Sequence, residues 1–210
     1  MSKRSEFSKY PICDTDVWVN LCHAEIESQF FNIYEKVHFS FAVEKEILRW
    51  TSNPTYSYIS EKFNSAVSNG NAIVINESDL TDEDKKYISQ ILSEDFGIMD
   101  CFKRAFNGFK NAGECISGVI ADHFEIPFMS CNDGLFNGGR GSKLLPDLCI
   151  KNWDKTLDSI VTNELEKRRI VNIVREKNEN MRQNKLKYEK EPISRRAIQA
   201  FMVEFNSKNL

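Results

Sequence analysis

The feature that most constrains this chain is a set of short, largely apolar runs between residues 11 and 150, most of them closed by a polar or acidic residue. Ile12-Cys13 leads into Asp14. Val37 to Ala42 leads into a helical stretch. Ala72 to Ile75 ends at Asn76, Phe128 to Cys131 at Asn132-Asp133, and Leu148 to Ile150 forms the last run. Runs of this length and content read as strands. The wholly apolar ones, such as Ala72 to Ile75, lack the in–out alternation of a strand with one wet face and suit a sheet covered on both sides. Helical stretches separate them, and that order gives a parallel sheet. The expected fold is therefore α/β, a three-layer sandwich with a central parallel sheet.

The intervening segments carry their own start and stop signals. Asp16 stands where a short acid caps a helix, here one running to about Tyr34. Val43 to Trp50 reads as a helix stopped by Thr51-Ser-Asn-Pro54, and Thr55 to Ser68 as another, closed by Asn69-Gly-Asn71. Thr81 precedes three acids, the signature of a capped first turn, and its helix runs to about Ser93. Phe96 to Phe109 places aromatics and Met at helical intervals and predicts an additional helix. Gly113-Glu114 opens a helix to about Phe124, and Glu125-Ile-Pro127 leaves it. No internal repeat is present.

The character changes near Asp154. Leu157, Ile160, Val161 and Leu165 make one apolar stripe. Beyond Val174 the chain is dominated by charge and amide, with Arg175, Lys177, Arg182, Lys185, Lys187 and Lys190 interspersed with glutamates. Ser194 to Phe205 reads as a short amphipathic helix with Ala197, Phe201, Met202 and Phe205 on one face. These signals divide the chain into a domain at 1–154 and a charged helical extension at 155–210.

Composition narrows the function. The formal net charge is −3, so a grip on a polyanion must come from a local patch or from metal ions. The six cysteines form no Cys-x-x-Cys pair and have no histidine at zinc-finger spacing, which argues for buried free thiols and a reducing compartment. The start of the chain has no apolar signal core, and no run approaches the roughly 18 apolar residues of a membrane span. A cytoplasmic protein without a membrane partner is expected. His23, His38 and His123 are scattered and read as structural.

The acids are the informative set. Asp14 and Asp133 fall at the carboxyl ends of the first and fourth strands, where ligands of open parallel sheets bind. Glu114 opens a helix at that same edge, and Glu46 lies in the helix after the second strand. Each alone has an ordinary reading as a cap, a dipole partner, a turn residue or a solvated acid. Together they describe a carboxylate cluster, which repels itself unless a cation occupies it. All-oxygen ligands select Mg²⁺ or Mn²⁺, and such ions serve phosphodiester hydrolysis. After Asp133, the glycine-rich Asn137-Gly-Gly-Arg-Gly-Ser-Lys143 offers Arg140 and Lys143 as a phosphate clamp.

At these residues the sequence resembles the PIN-domain family. The resembling blocks are Ile12-Cys-Asp-Thr-Asp-Val-Trp-Val19, Phe39-Ser-Phe-Ala-Val-Glu-Lys-Glu46, Gly113-Glu-Cys-Ile-Ser-Gly-Val-Ile-Ala121 and Phe128-Met-Ser-Cys-Asn-Asp133. The resemblance implies a PIN-like sandwich and a metal-dependent endoribonuclease, the family that includes toxins of bacterial toxin–antitoxin pairs. It implies Asp14, Glu46, Glu114 and Asp133 as catalytic metal ligands, Asp16 as an auxiliary, and Ser130 and Asn132 as small polar residues near the ion. RNA is the implied substrate. An antitoxin or other protein partner at the C-terminal extension and a homodimer are the implied associations. The segment from Gly97 to Ala112, the glycine-rich loop and the tail depart from the family pattern. Two other readings compete: a PIN-like module that binds nucleic acid or protein without cutting, and a phosphatase of the haloacid dehalogenase type, suggested by Asp14-Thr-Asp16 but lacking the expected residue at Trp18 and a matching later acidic pair.

Overall fold

Five short strands pair side by side, all parallel: β1 (Ile12–Cys13), β2 (Val37–Ser40), β3 (Ala72–Ile75), β4 (Met129–Ser130) and β5 (Ile150–Lys151). They lie in the order β3-β2-β1-β4-β5. The computed structural model in which they are seen describes residues 4–102 and 111–190, the last five by backbone alone. From β1 the chain builds outward through β2 and β3, then returns to the other side of β1 with β4 and β5. The direction of winding therefore reverses between β1 and β4, the place where such sheets open a crevice at their carboxyl ends.

The pleat sorts side chains to two covered faces. Ile12 stands opposite His38 and Met129 in register, and this face packs under α6 (Asp82–Asp95) and α7 (Ala112–His123), with Ile88, Leu92, Ile116 and Ile120 in the same core. A buried hydroxyl pair, Ser40 with Ser117 at 2.8 Å, ties β2 to α7. The other face is aromatic. Trp18 on α2 (Thr15–Ala24) meets Phe39 and Phe63 edge-on at 5.5 and 5.9 Å, and its indole nitrogen donates to the Ile59 carbonyl on α5 (Tyr58–Ser68) at 3.2 Å. The arrangement is α/β and compatible with a three-layer sandwich.

Several element ends differ from the sequence expectation, each for a local reason. The helix expected to reach Tyr34 is two: Glu25 adopts left-handed backbone (φ 59°) and closes α2, and α3 (Glu27–Tyr34) follows. Asp14, not Asp16, occupies the cap position of α2, yet its carboxyl makes no capping bond. Strand β2 stops at Ser40 because that hydroxyl accepts from the Val43 amide and starts α4 (Phe41–Leu48). The Asn53 side chain takes the Thr55 and Tyr56 amides, so α5 begins at Tyr58. Thr81 and Asp84 form the expected capping box. Residues 96–102 turn rather than continue a helix; the remainder of that expected helix, and the one expected over Ser194 to Phe205, lie outside the described residues. The glycine-rich segment contains a short helix, α8 (Arg140–Leu144).

By its contacts the chain forms two compact units, Met1–Asn163 and Glu164–Leu210. The first includes α9 (Trp153–Ile160), capped by the Asn152 side chain and packed on α3 and β5. Leu157 and Val161 are buried there, whereas Leu165 is 77% exposed, so the expected stripe ends at Val161. The second unit carries α10 (Glu164–Lys190), with Lys167–Glu164 and Arg182–Glu179 pairs along its surface. All six cysteines are free. Five are buried and Cys149 is exposed. Among the described residues no helix is long and apolar enough to cross a membrane.

Candidate active site

Asp14 is the first residue past β1, and its amide donates to the Ser130 carbonyl at 2.9 Å, extending the pairing with β4. The side chain is wholly buried. One carboxylate oxygen, Oδ2, receives the Cys131 thiol at 3.7 Å, while Oδ1 has no partner among the described residues. Burial, followed by the repulsion of Glu114, Asp16 and Glu46, holds this carboxyl well above its ordinary range.

The other acids stand around it. Glu114, in the first turn of α7, is pushed up to about 7 by burial and by Glu46, Asp133 and Asp16, against a lowering hydrogen bond from its own amide. Asp16 is raised by burial and then by Asp133. The Glu46 carboxylate on α4 accepts the Thr15 hydroxyl at 2.5 Å. It also lies over Gly113, where an added Cβ would come 2.8 Å from Oε1 and 3.0 Å from Oε2. Asp133 closes a turn after β4: its Oδ1 accepts from the Leu135 amide at 2.6 Å and from the Asn111 side chain at 3.3 Å. Asn111 itself sits in left-handed backbone (φ 62°) at the start of α7. Residues from four separate chain segments thus place five carboxyl groups so that each lies within electrostatic reach of at least two others.

Their chemistry is that of a hard cation site. Every donor is a carboxylate oxygen, the ligand type of Mg²⁺ and Mn²⁺. The buried, unpartnered Asp14 Oδ1 is an acceptor that a cation would satisfy. As placed, no three His, Cys, Asp or Glu side chains among the described residues stand so as to hold one ion between them. The residues fit such an ion in donor type and charge. Their side chains would have to draw together around it.

The expected substrate residues are placed less centrally. Ser130 is buried in register with Cys13, and strand alternation turns it away from the face where Cys131 meets Asp14. The Asn132 side chain accepts from the Trp153 amide at 3.5 Å and so serves the start of α9. Arg140 donates to the Asp95 carbonyl at 2.5 Å, at the end of α6. Lys143 is exposed on α8. Sequence reasoning missed Thr15, Asn111 and Gly113 as partners of the acids. It also missed the thiols: Cys131 touches Asp14, and Cys115 is pushed up to about 12 by burial and by Glu114, Asp133 and Asp14. A glycine early in a helix was the one available signal, since glycine weakens a helix unless packing requires it.

Comparison with protein-family models, curated proteins and solved structures returned no match for the chain. What the fold and site define is a class: an α/β protein wound outward from β1 in both directions, with mutually repelling carboxyl groups gathered at the carboxyl edge where the winding reverses.

Proposed function

We propose that this chain is a metal-dependent endoribonuclease of PIN-like fold that hydrolyses RNA phosphodiester bonds. The observation that carries the reading is Asp14: a fully buried carboxylate with one unpartnered oxygen, at the sheet's switch point, beside Glu114, Asp16 and Glu46, with Asp133 next to Asp16 and Glu114. So concentrated a set of acids is costly to fold around unless something compensates its charge. Mg²⁺ or Mn²⁺ held there would supply an activated water and charge neutralisation for phosphodiester cleavage. Asp14, Glu46, Glu114 and Asp133 are the proposed ligands, with Asp16 auxiliary. A toxin-type or defence role, with RNA as substrate and a protein partner bound through the C-terminal extension, follows from the resemblance alone.

The competing reading is a PIN-like module that binds RNA or protein without cutting. It is favoured by the spread of the carboxylates, no three of which are placed to share an ion. One experiment separates the two. Labelled RNA and DNA are incubated with the protein in Mn²⁺ or in excess EDTA, alongside Asp14→Asn and Asp133→Asn. The nuclease reading expects RNA cleavage that requires the metal and is abolished by each substitution while the fold is kept. Cleavage in EDTA, or full activity in both variants, refutes it. RNA binding without cleavage in any metal establishes the module instead.

A further inference from the structure

We propose that Thr15 and Gly113 are positioning residues for the Glu46 carboxylate, a role that rests on the metal-site reading above. The geometry is specific. The Thr15 hydroxyl, on the first residue of α2, donates to Glu46 Oε2 at 2.5 Å. On the other side, the carboxylate is seated on bare backbone: at Gly113 an added Cβ would lie 2.8 Å from Oε1, 3.0 Å from Cδ and 3.0 Å from Oε2. One side chain on α4 is thus held between the starts of α2 and α7. These two starts also carry Asp14 and Glu114, each adjacent in sequence to the residue that grips Glu46.

Neither contact has a sufficient explanation in helix formation. Glycine weakens a helix relative to alanine, so its place as the second residue of α7 calls for a packing reason. Gly118, further along α7, has one in the core, where the Phe136 ring fills the space. At Gly113 the filler is instead a carboxylate, the end of a flexible side chain that any larger residue would displace. Thr15 needs no partner on another helix to start α2. Its hydroxyl nevertheless reaches Glu46, thirty-one residues along the chain. A donor fixes which oxygen of Glu46 remains available, and the missing Cβ fixes how closely α4 and its carboxylate approach Glu114. Groups that orient metal ligands in this way typically change ion affinity by about 10- to 100-fold when removed.

The test uses the full chain with Thr15→Val, Thr15→Ser and Gly113→Ala. Mn²⁺ uptake is read by the electron paramagnetic resonance of the free ion, and RNA cleavage by separate kcat and KM. Thermal melts in EDTA check the fold. Thr15→Val and Gly113→Ala are expected to weaken Mn²⁺ binding by about 10- to 100-fold and to lower kcat at limiting Mn²⁺ with KM for RNA little changed. Thr15→Ser, which keeps the hydroxyl, restores both. Gly113→Ala is expected to melt no lower than wild type, because alanine favours the helix and only the Glu46 side chain must move. If Thr15→Val and Gly113→Ala bind Mn²⁺ as wild type does, the positioning role is overturned and the metal site stands. If the wild-type chain takes up no Mn²⁺, the metal-site reading falls and this role falls with it.

Discussion

Replacing Glu114 by glutamine should make the ion-free protein more stable, and more so at high pH than at low. The Glu114 carboxyl is held at about 7 instead of its ordinary 4.5, first by burial and then by Glu46, Asp133 and Asp16. Keeping it ionised in the folded state against that shift costs ~3 kcal/mol at full strength. Solvent reaches part of the group, and screening reduces the penalty to about 1–2 kcal/mol. The sign follows from proton counting. Between the ordinary value and 7 the folded chain binds more protons than the unfolded one, so wild-type stability falls as pH rises through this window. The penalty is absent below it and complete above it. A glutamine side chain carries no charge at any pH and escapes the penalty. Denaturant unfolding in EDTA at about pH 8 should therefore show Glu114→Gln more stable than wild type by about 1–2 kcal/mol, or several degrees in melting temperature. At about pH 5 the two curves should approach each other. A variant destabilised by the same amount at both pH values would refute the reasoning, because it would mean that Glu114 is a structural hydrogen-bonding partner and not one member of a repelling set.

Three further outcomes probe other parts of the molecule. The Phe136 ring is buried against Gly118 and Gly141, where added Cβ atoms would come within 2.5 and 2.8 Å of it; Phe136→Ala should cost about 3–5 kcal/mol and Gly118→Ala about 1–3 kcal/mol, both read by urea unfolding. Ending the chain after Arg175 removes Lys177, Arg182, Lys185 and the basic residues beyond, and should lower RNA affinity and flatten its salt dependence with little change in melting temperature; an aggregated product would show instead that this segment is needed for folding.

What could be read in the sequence was whatever had a local cause. The runs at Ile12-Cys13, Ala72 to Ile75 and Phe128 to Cys131 announce buried parallel strands because they are dominated by apolar residues. Thr81 with Asp84 announces a helix start because both halves of the capping box lie within one turn. The break at Glu25 was hidden, since left-handed backbone at a glutamate has no residue signature. The start of α5 was set by Asn53, a side chain outside the helix. The same division holds at the site. Acids at strand ends point to a shared edge, as Asp14 and Asp133 do. Thr15, Asn111 and Gly113 matter only through contacts with another element, so no spacing rule reveals them. Arg140 shows the converse: a basic residue in a glycine-rich loop suits phosphate on paper, yet its guanidinium is taken by the Asp95 carbonyl.

The pairing of β1 with β4 has a consequence for how the protein comes into being. Asp14 and Cys131 touch although 117 residues separate them, and β4 completes the pairing of β1 on that side. During synthesis the first strand therefore waits, its neighbour on one side missing, until almost the whole of the first unit has left the ribosome. Asp133 joins the other acids only then, because it follows β4 in the chain. The set of five is therefore complete only once β4 has paired with β1, and long-range closure of this kind makes that a slow step.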